Sequence, residues 1–234
     1  MIKLLLALLA AGKLGKVALT GGTMLLSVLA YSLVYGWPYA VALVALIFVH
    51  EMGHFIAARR SGLAVGAPVF IPFVGAWVSL KTVDLDPETE AYVALAGPLV
   101  GTLGAFLCYL YAIQSGERLW YAIAYGGFFL NLFNLIPVRP LDGGRIVRVI
   151  SGKLWLVGIP ILVALFFWKP SPLLLIIGLI AAPEFWATLR GKSDQSISQA
   201  PLEVKIKYGS VYLALTLGLA VMAFEVHERL DSGR

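Results

Sequence analysis

Long apolar runs separated by short polar or proline- and glycine-rich breaks set the pattern of this chain, at 17–35, 39–58, 91–113, 119–136, 154–168, 173–189 and 208–224. A hydrocarbon core about 30 Å thick takes roughly 20 apolar residues of helix, and most of these runs meet or approach that length. The pattern therefore predicts about seven membrane spans. The fifth and sixth are short and meet at Lys169-Pro170-Ser171-Pro172, where two prolines oppose helix continuation. A tight helical hairpin is expected there, with one irregular unit as the alternative that leaves six spans.

The stretch 62–80 is apolar but breaks the pattern. Gly66, Pro68, Pro72 and Gly75 interrupt any helix, and the β-branched and aromatic residues between them favour short strands. Unpaired backbone cannot face lipid, so this segment is expected at the interface or lining a protein cavity. An ordinary interfacial loop is the bland reading. The acidic stretch 83–90, with Asp84, Asp86, Glu88 and Glu90, is expected to return to water, and 190–205 reads as a polar cytoplasmic loop.

Composition turns the pattern into a class. Of 234 residues, 60% are hydrophobic and 13% charged, with a mean hydropathy of +0.87, which excludes a soluble globular domain. A single domain spanning 1–234 is expected, in contact with the lipid bilayer over most of its surface. One cysteine, Cys108, excludes an internal disulfide and a cysteine zinc knuckle. Residues 1–11 resemble a signal-peptide core, but Lys13 and Lys16 stand where a small-residue cleavage site would be, so the segment is read as retained. The net charge of +5 is spread over loops and points to membrane orientation, not to nucleic acid. With a cytoplasmic N-terminus and seven alternating spans, all lysines and arginines except Arg118, Lys169, Arg229 and Arg234 fall on the cytoplasmic side.

Within the second run, Val49-His50-Glu51-Met52-Gly53-His54 places two histidines four residues apart on one helix face. That spacing suits two ligands of one zinc ion. Glu51, beside them, can take a proton from a metal-bound water and deliver it to a leaving amine. Burying two imidazoles and a carboxylate in an apolar helix costs several kcal/mol unless they are paired or bind metal, so the cluster reads as functional. A structural polar cluster joining helices is the competing reading.

A catalytic zinc takes a third protein ligand and keeps one position open. His227 belongs to a solvated tail, Glu184 can pair with Arg190, and Asp84 and Asp86 lie in a polar loop. Asp142 stands apart because Pro137, Pro140, Gly143 and Gly144 open the helix around it and direct a carboxylate inward. It also suits the N-cap of a helix beginning at Gly143.

These residues resemble the site-2 protease family of intramembrane zinc metalloproteases. The resemblance rests on His50-Glu51-x-Gly53-His54, on Asn134-x-x-Pro137-x-x-x-Leu141-Asp142-Gly143-Gly144, and on Ala96-Gly97-Pro98-Leu99-Val100-Gly101 between them. It covers 39–153 and implies that His50, His54 and Asp142 bind one zinc ion near the cytoplasmic face, with Glu51 as the base. It further implies a protein substrate cleaved within or beside a transmembrane segment, in regulated proteolysis, by a minimal form without PDZ or CBS domains. The expected fold is an all-α polytopic membrane protein of about six to seven helices, with a three-helix zinc-binding core and a short interfacial strand segment. The expected location is the cell membrane of a prokaryote.

Small residues on the third run (Ala94, Gly97, Gly101, Gly104, Ala105) would let the ligand-bearing helices approach closely. Asn131 and Asn134, one turn apart, are candidates for holding substrate backbone or an oxyanion, with helix-to-helix hydrogen bonding as the bland alternative. The segment 62–80 is the candidate edge for pairing with an unwound substrate. The rival functions are an ion or metal transporter using the His/Glu/Asp cluster and a catalytically dead membrane scaffold.

Overall fold

A computed structural model describes residues 2–77, 85–151, 153–190 and 200–232. Expectations for Lys81, Asp84 and most of the 190–205 loop lie outside them. The order is α1 (Ile2–Tyr35), α2 (Trp37–Arg60), β1 (Val69–Ile71), β2 (Gly75–Trp77), α3 (Pro87–Ser115), α4 (Arg118–Asn134), α5 (Asp142–Ile150), a 3₁₀ turn (Leu154–Val157), α6 (Gly158–Trp168), α7 (Pro172–Leu189) and α8 (Leu202–Asp231).

Helix ends follow local chemistry. α2 closes on Ser61-Gly62-Leu63: the Gly62 N–H donates to Arg59 O at 3.1 Å and the Leu63 N–H to Ala58 O at 3.0 Å, a Schellman closure. Gly62 takes φ +75° there, which glycine adopts without strain. α3 starts at Pro87 behind an Asp86 cap whose carboxylate accepts from the Thr89 N–H at 3.0 Å. The acidic stretch therefore does not simply return to water: Glu90 belongs to the first turn of α3 and is buried.

Four helices are long and apolar enough to cross a bilayer among the described residues: Val17–Tyr35 within α1, then α2, α3 and α8. Two of the seven expected runs prove shorter as helices, α4 with 17 residues and α6 with 11. At 1.5 Å per residue α6 rises about 16 Å, half of a hydrocarbon core, because the 3₁₀ turn takes up the start of its run. α6 and α7 meet at the Lys169–Ser171 break, and with the 138–141 turn they bury Val138, Leu141, Leu162, Ile177 and Ala181 together. Outward faces are apolar: Leu33, Phe167, Trp168, Leu179 and Val221 are exposed, as a lipid solvent requires.

The segment after α2 forms a two-stranded antiparallel hairpin pairing Val69 with Trp77, Phe70 with Ala76 and Ile71 with Gly75. Polar side chains of α1 fasten it. Thr20 Oγ1 donates to Pro68 O at 2.7 Å, Thr23 Oγ1 accepts from the Phe70 N–H at 3.2 Å, and the Tyr31 hydroxyl accepts from the Phe73 N–H at 3.1 Å.

α3 lies against α2, α4 and α5. A Cβ on Gly53 would press into the backbone of Ala96 and Gly97, so α2 and α3 touch backbone to backbone at the level of the histidines. Gly53→Ala is expected to destabilise the protein by roughly 1–3 kcal/mol, as overpacking does. Thermal unfolding in detergent measures it, and an unchanged midpoint would contradict so close an approach.

Candidate metal centre

Four residues per 1.1 turns stack His50 and His54 on the inner face of α2, with ring centroids 4.8 Å apart. Both are buried, as are Glu51 and Asp142. Asp142 comes from the opposite side. α4 ends at Asn134, residues 135–141 form a tight turn, and α5 begins at Asp142 itself. The cap position is Leu141, in extended backbone, so the N-cap role expected as an alternative for Asp142 does not arise. Its carboxylate turns to the histidines instead. Gly143 and Gly144 permit this, because a Cβ on either would strike the 135–139 backbone.

The contacts are short and mutual. His50 Nε2 and His54 Nε2 lie 3.0 Å apart, and each lies 3.2 Å from Asp142 Oδ2. Tautomers follow from the outer nitrogens. His50 Nδ1 meets Asn131 Oδ1 at 2.8 Å and His54 Nδ1 meets the Val93 carbonyl at 2.8 Å; both partners only accept, so both Nδ1 atoms carry the proton. With the rings neutral, as metal ligation requires, the two Nε2 atoms present lone pairs to a carboxylate oxygen. Three acceptors at this spacing repel one another, and a single proton bridges only one pair at a time.

A divalent ion satisfies all three. A tetrahedral zinc site with bonds of about 2.0–2.2 Å has ligand-to-ligand edges of roughly 3.3–3.6 Å. The observed edges of 3.0, 3.2 and 3.2 Å fit that group with small adjustment. His50, His54 and Asp142 form the one metal-capable group of this kind among the described residues.

Neighbours hold the ligands rather than crowd them. Gly97 of α3 faces the His54 ring so closely that a Cβ there would overlap it, and Gly101 stands in the same relation to the Asn131 amide. Asn131 Nδ2 donates to Gly127 O at 2.7 Å, which turns Oδ1 toward His50. Both ends of this amide are thus engaged within the protein, by the helix-to-helix hydrogen bonding that the sequence left open beside substrate contact. Asn134 is half-buried and donates to Leu130 O at 3.1 Å, with no hydrogen bond to the ligands among the described residues. Glu51 makes no hydrogen bond or ion pair among the described residues, while standing within electrostatic reach of His50, Asp142 and Arg145.

Other candidates fall elsewhere. His227 pairs with Asp231 at 3.4 Å and stacks on Tyr125 near the end of α8. The Glu184 side chain lies outside the described residues, and Arg190 sits over the Trp186 ring. Sequence reasoning missed the Val93 carbonyl, which no side-chain pattern reveals. It also missed Glu90, whose signal was its seven-residue spacing to Gly97 on one helix face.

The model of peptidase family M50 matches residues 38–117 and 112–155, half of the chain. Rip3 of Mycobacterium tuberculosis is 35% identical over 118 residues, covering 47% of this chain and 30% of that protein. Zinc metalloprotease MJ0392 of Methanocaldococcus jannaschii is 32% identical over 112 residues, covering 46% of this chain and 32% of its own length. MJ0611 of the same archaeon is 28% identical over 177 residues, 61% of this chain and 92% of that protein. The chain thus spans less than a third of the first two relatives.

Asn131→Ala is expected to weaken divalent-metal binding 10–100-fold, the usual effect of losing the outer partner of a ligating histidine. Chelator competition on the purified protein measures this; wild-type affinity in the variant would show that the amide does not orient His50.

Proposed function

Because this chain belongs to peptidase family M50, we propose that it is a zinc endopeptidase that cleaves membrane-protein substrates within or next to a transmembrane segment. The observation that carries the reading is the convergence of His50 Nε2, His54 Nε2 and Asp142 Oδ2 within 3.0–3.2 Å of one another, at a buried site. The family's metal chemistry gives that convergence a purpose, and the family's named zinc metalloprotease MJ0392 supports the choice of zinc.

His50, His54 and Asp142 would hold the ion, one per chain. Bound there, zinc supplies a Lewis acid for the scissile carbonyl and makes water acidic enough to attack near neutral pH. Glu51 serves as general base and then general acid: it accepts the proton of the attacking water and passes it to the departing amine. A buried carboxylate with no hydrogen bond or ion pair among the described residues suits that role. Asn131 and Val93 keep both imidazoles in the ligating tautomer. Asn134 has a second Nδ2 hydrogen to offer substrate or a developing oxyanion.

A helical substrate hides its carbonyls in intrahelical bonds, so cleavage requires unwinding. The hairpin offers an edge for the unwound strand. The Phe70 N–H is taken by Thr23, so the Phe70–Ala76 pair points its backbone groups away from the ladder, and Ala76 on β2 provides the outward N–H and carbonyl. The remaining architecture we propose is a single domain with six to seven spans and three helices (α2, α3, α5) around the zinc, in the cell membrane of a prokaryote, and the charge pattern favours a cytoplasmic N-terminus.

Glu51→Gln should lower cleavage of a single-pass substrate in liposomes by 10²-fold or more while zinc content stays at wild type, and Asp142→Ala should lose both. Equal cleavage by wild type and Glu51→Gln would remove the mechanism. Ala76→Pro deletes an outward N–H without breaking a ladder bond, so it should raise KM with zinc content intact; an unchanged KM would remove β2 as the substrate edge.

A further inference from the structure

A second buried charge cluster adjoins the metal centre. Glu90, in the first turn of α3, is 6% exposed. Arg139 Nη2 donates to its Oε1 at 2.6 Å, Arg148 Nη1 to its Oε2 at 3.1 Å, and Arg145 Nε approaches Oε1 at 3.4 Å. All three guanidinium groups come from the segment that carries Asp142: Arg139 from the turn leading into α5, Arg145 and Arg148 from α5 itself.

On α3, Glu90 shares a face with Val93 and Gly97, at spacings of three and seven residues. Val93 holds the outer nitrogen of His54, and Gly97 makes room for its ring. One stripe of α3 thereby grips the α2 histidines at one level and the Asp142 segment at the next. α5 needs such a grip, since a nine-residue helix is too short to be stable alone.

We propose that Glu90 is a positioning residue for the metal. By gathering three guanidinium groups it fixes α5, and with it the Asp142 carboxylate, at the separation from His50 and His54 that three-ligand binding needs. It touches neither metal nor substrate. The inference rests on the zinc reading above and adds a residue to it. Removing the carboxylate takes away the one acceptor that all three guanidinium groups share, and with it the tie between α3 and α5, so α5 can withdraw. The two histidines, tethered through Asn131 and Val93, stay where they are. The expected defect is the loss of one ligand, not of the fold.

Cobalt(II) binding by the full chain in detergent distinguishes these outcomes, because the visible absorption of Co²⁺ is strong in tetrahedral sites and weak in six-coordinate ones. Wild type is expected to bind one Co²⁺ with the strong spectrum. Glu90→Gln should bind Co²⁺ and Zn²⁺ 10–100-fold more weakly and lose spectral intensity, with the helical circular dichroism unchanged, and Glu90→Asp should recover part of both. Wild-type affinity and spectrum in Glu90→Gln would overturn the proposal. Should Glu90→Gln fail to fold, Arg145→Gln decides: a weaker site with reduced intensity supports the clamp, and an unaltered site overturns it. If wild type binds neither ion, the zinc reading itself fails and this inference falls with it.

Discussion

Three unshared electron pairs held within 3.2 Å of one another, away from water, are the condition that the rest of this structure has to meet. Left alone they repel, and in a low-dielectric interior the repulsion is large. The protein nevertheless commits both Nδ1 protons to fixed acceptors, Asn131 Oδ1 and Val93 O, so neither ring is free to turn a donor inward. A cation at the centre converts the repulsion into attraction. The surrounding fold is arranged to bring the acceptors together and keep them in that tautomer.

Bringing them together is a packing problem solved with small residues. Hydrophobic driving force is weak between helices in lipid, and close backbone contact through glycine and alanine replaces it. Gly53 admits the Ala96 backbone, Gly97 admits the His54 ring, and Gly101 admits the Asn131 amide. The same face of α3 carries the buried Glu90, so a single helix sets the distance between the histidine pair and the aspartate. Opposite it, the chain leaves helical geometry between Asn134 and Asp142, where freed backbone groups need partners. The turn supplies its own, with the Leu141 N–H on Val138 O at 2.9 Å, and the Tyr212 hydroxyl of α8 donates to Leu135 O at 2.7 Å.

The periphery follows different rules. α1 presents apolar residues outward and threonine and tyrosine hydroxyls inward, and those hydroxyls hold the hairpin through its outer backbone groups. A two-stranded sheet is marginal alone, and the tether to α1 supports the two strands that the described residues form. The hairpin packs on α2 through Phe70 and Phe48, whose rings lie 6.4 Å apart, so the strand edge and the metal ligands share one support.

Local pattern alone determined much of this protein. The apolar runs made it a helical membrane protein, the prolines and glycines after α2 favoured the short strands at 69–71 and 75–77 over a helix, and the four-residue spacing made His50 and His54 neighbours, because helix and strand periods and ring constraints act over a few residues. Asp142 could be singled out only by elimination and by resemblance, since nothing local to it says that it meets a helix some 90 residues earlier. The tertiary structure alone decided that α5 starts at Asp142 rather than after it, that α6 is half the length of a span, that Asn131 serves His50, and that Glu90 is buried among arginines of α5 and the turn before it. Each of these depends on which groups lie across a helix interface, and that is set by packing between distant segments, which no periodicity records.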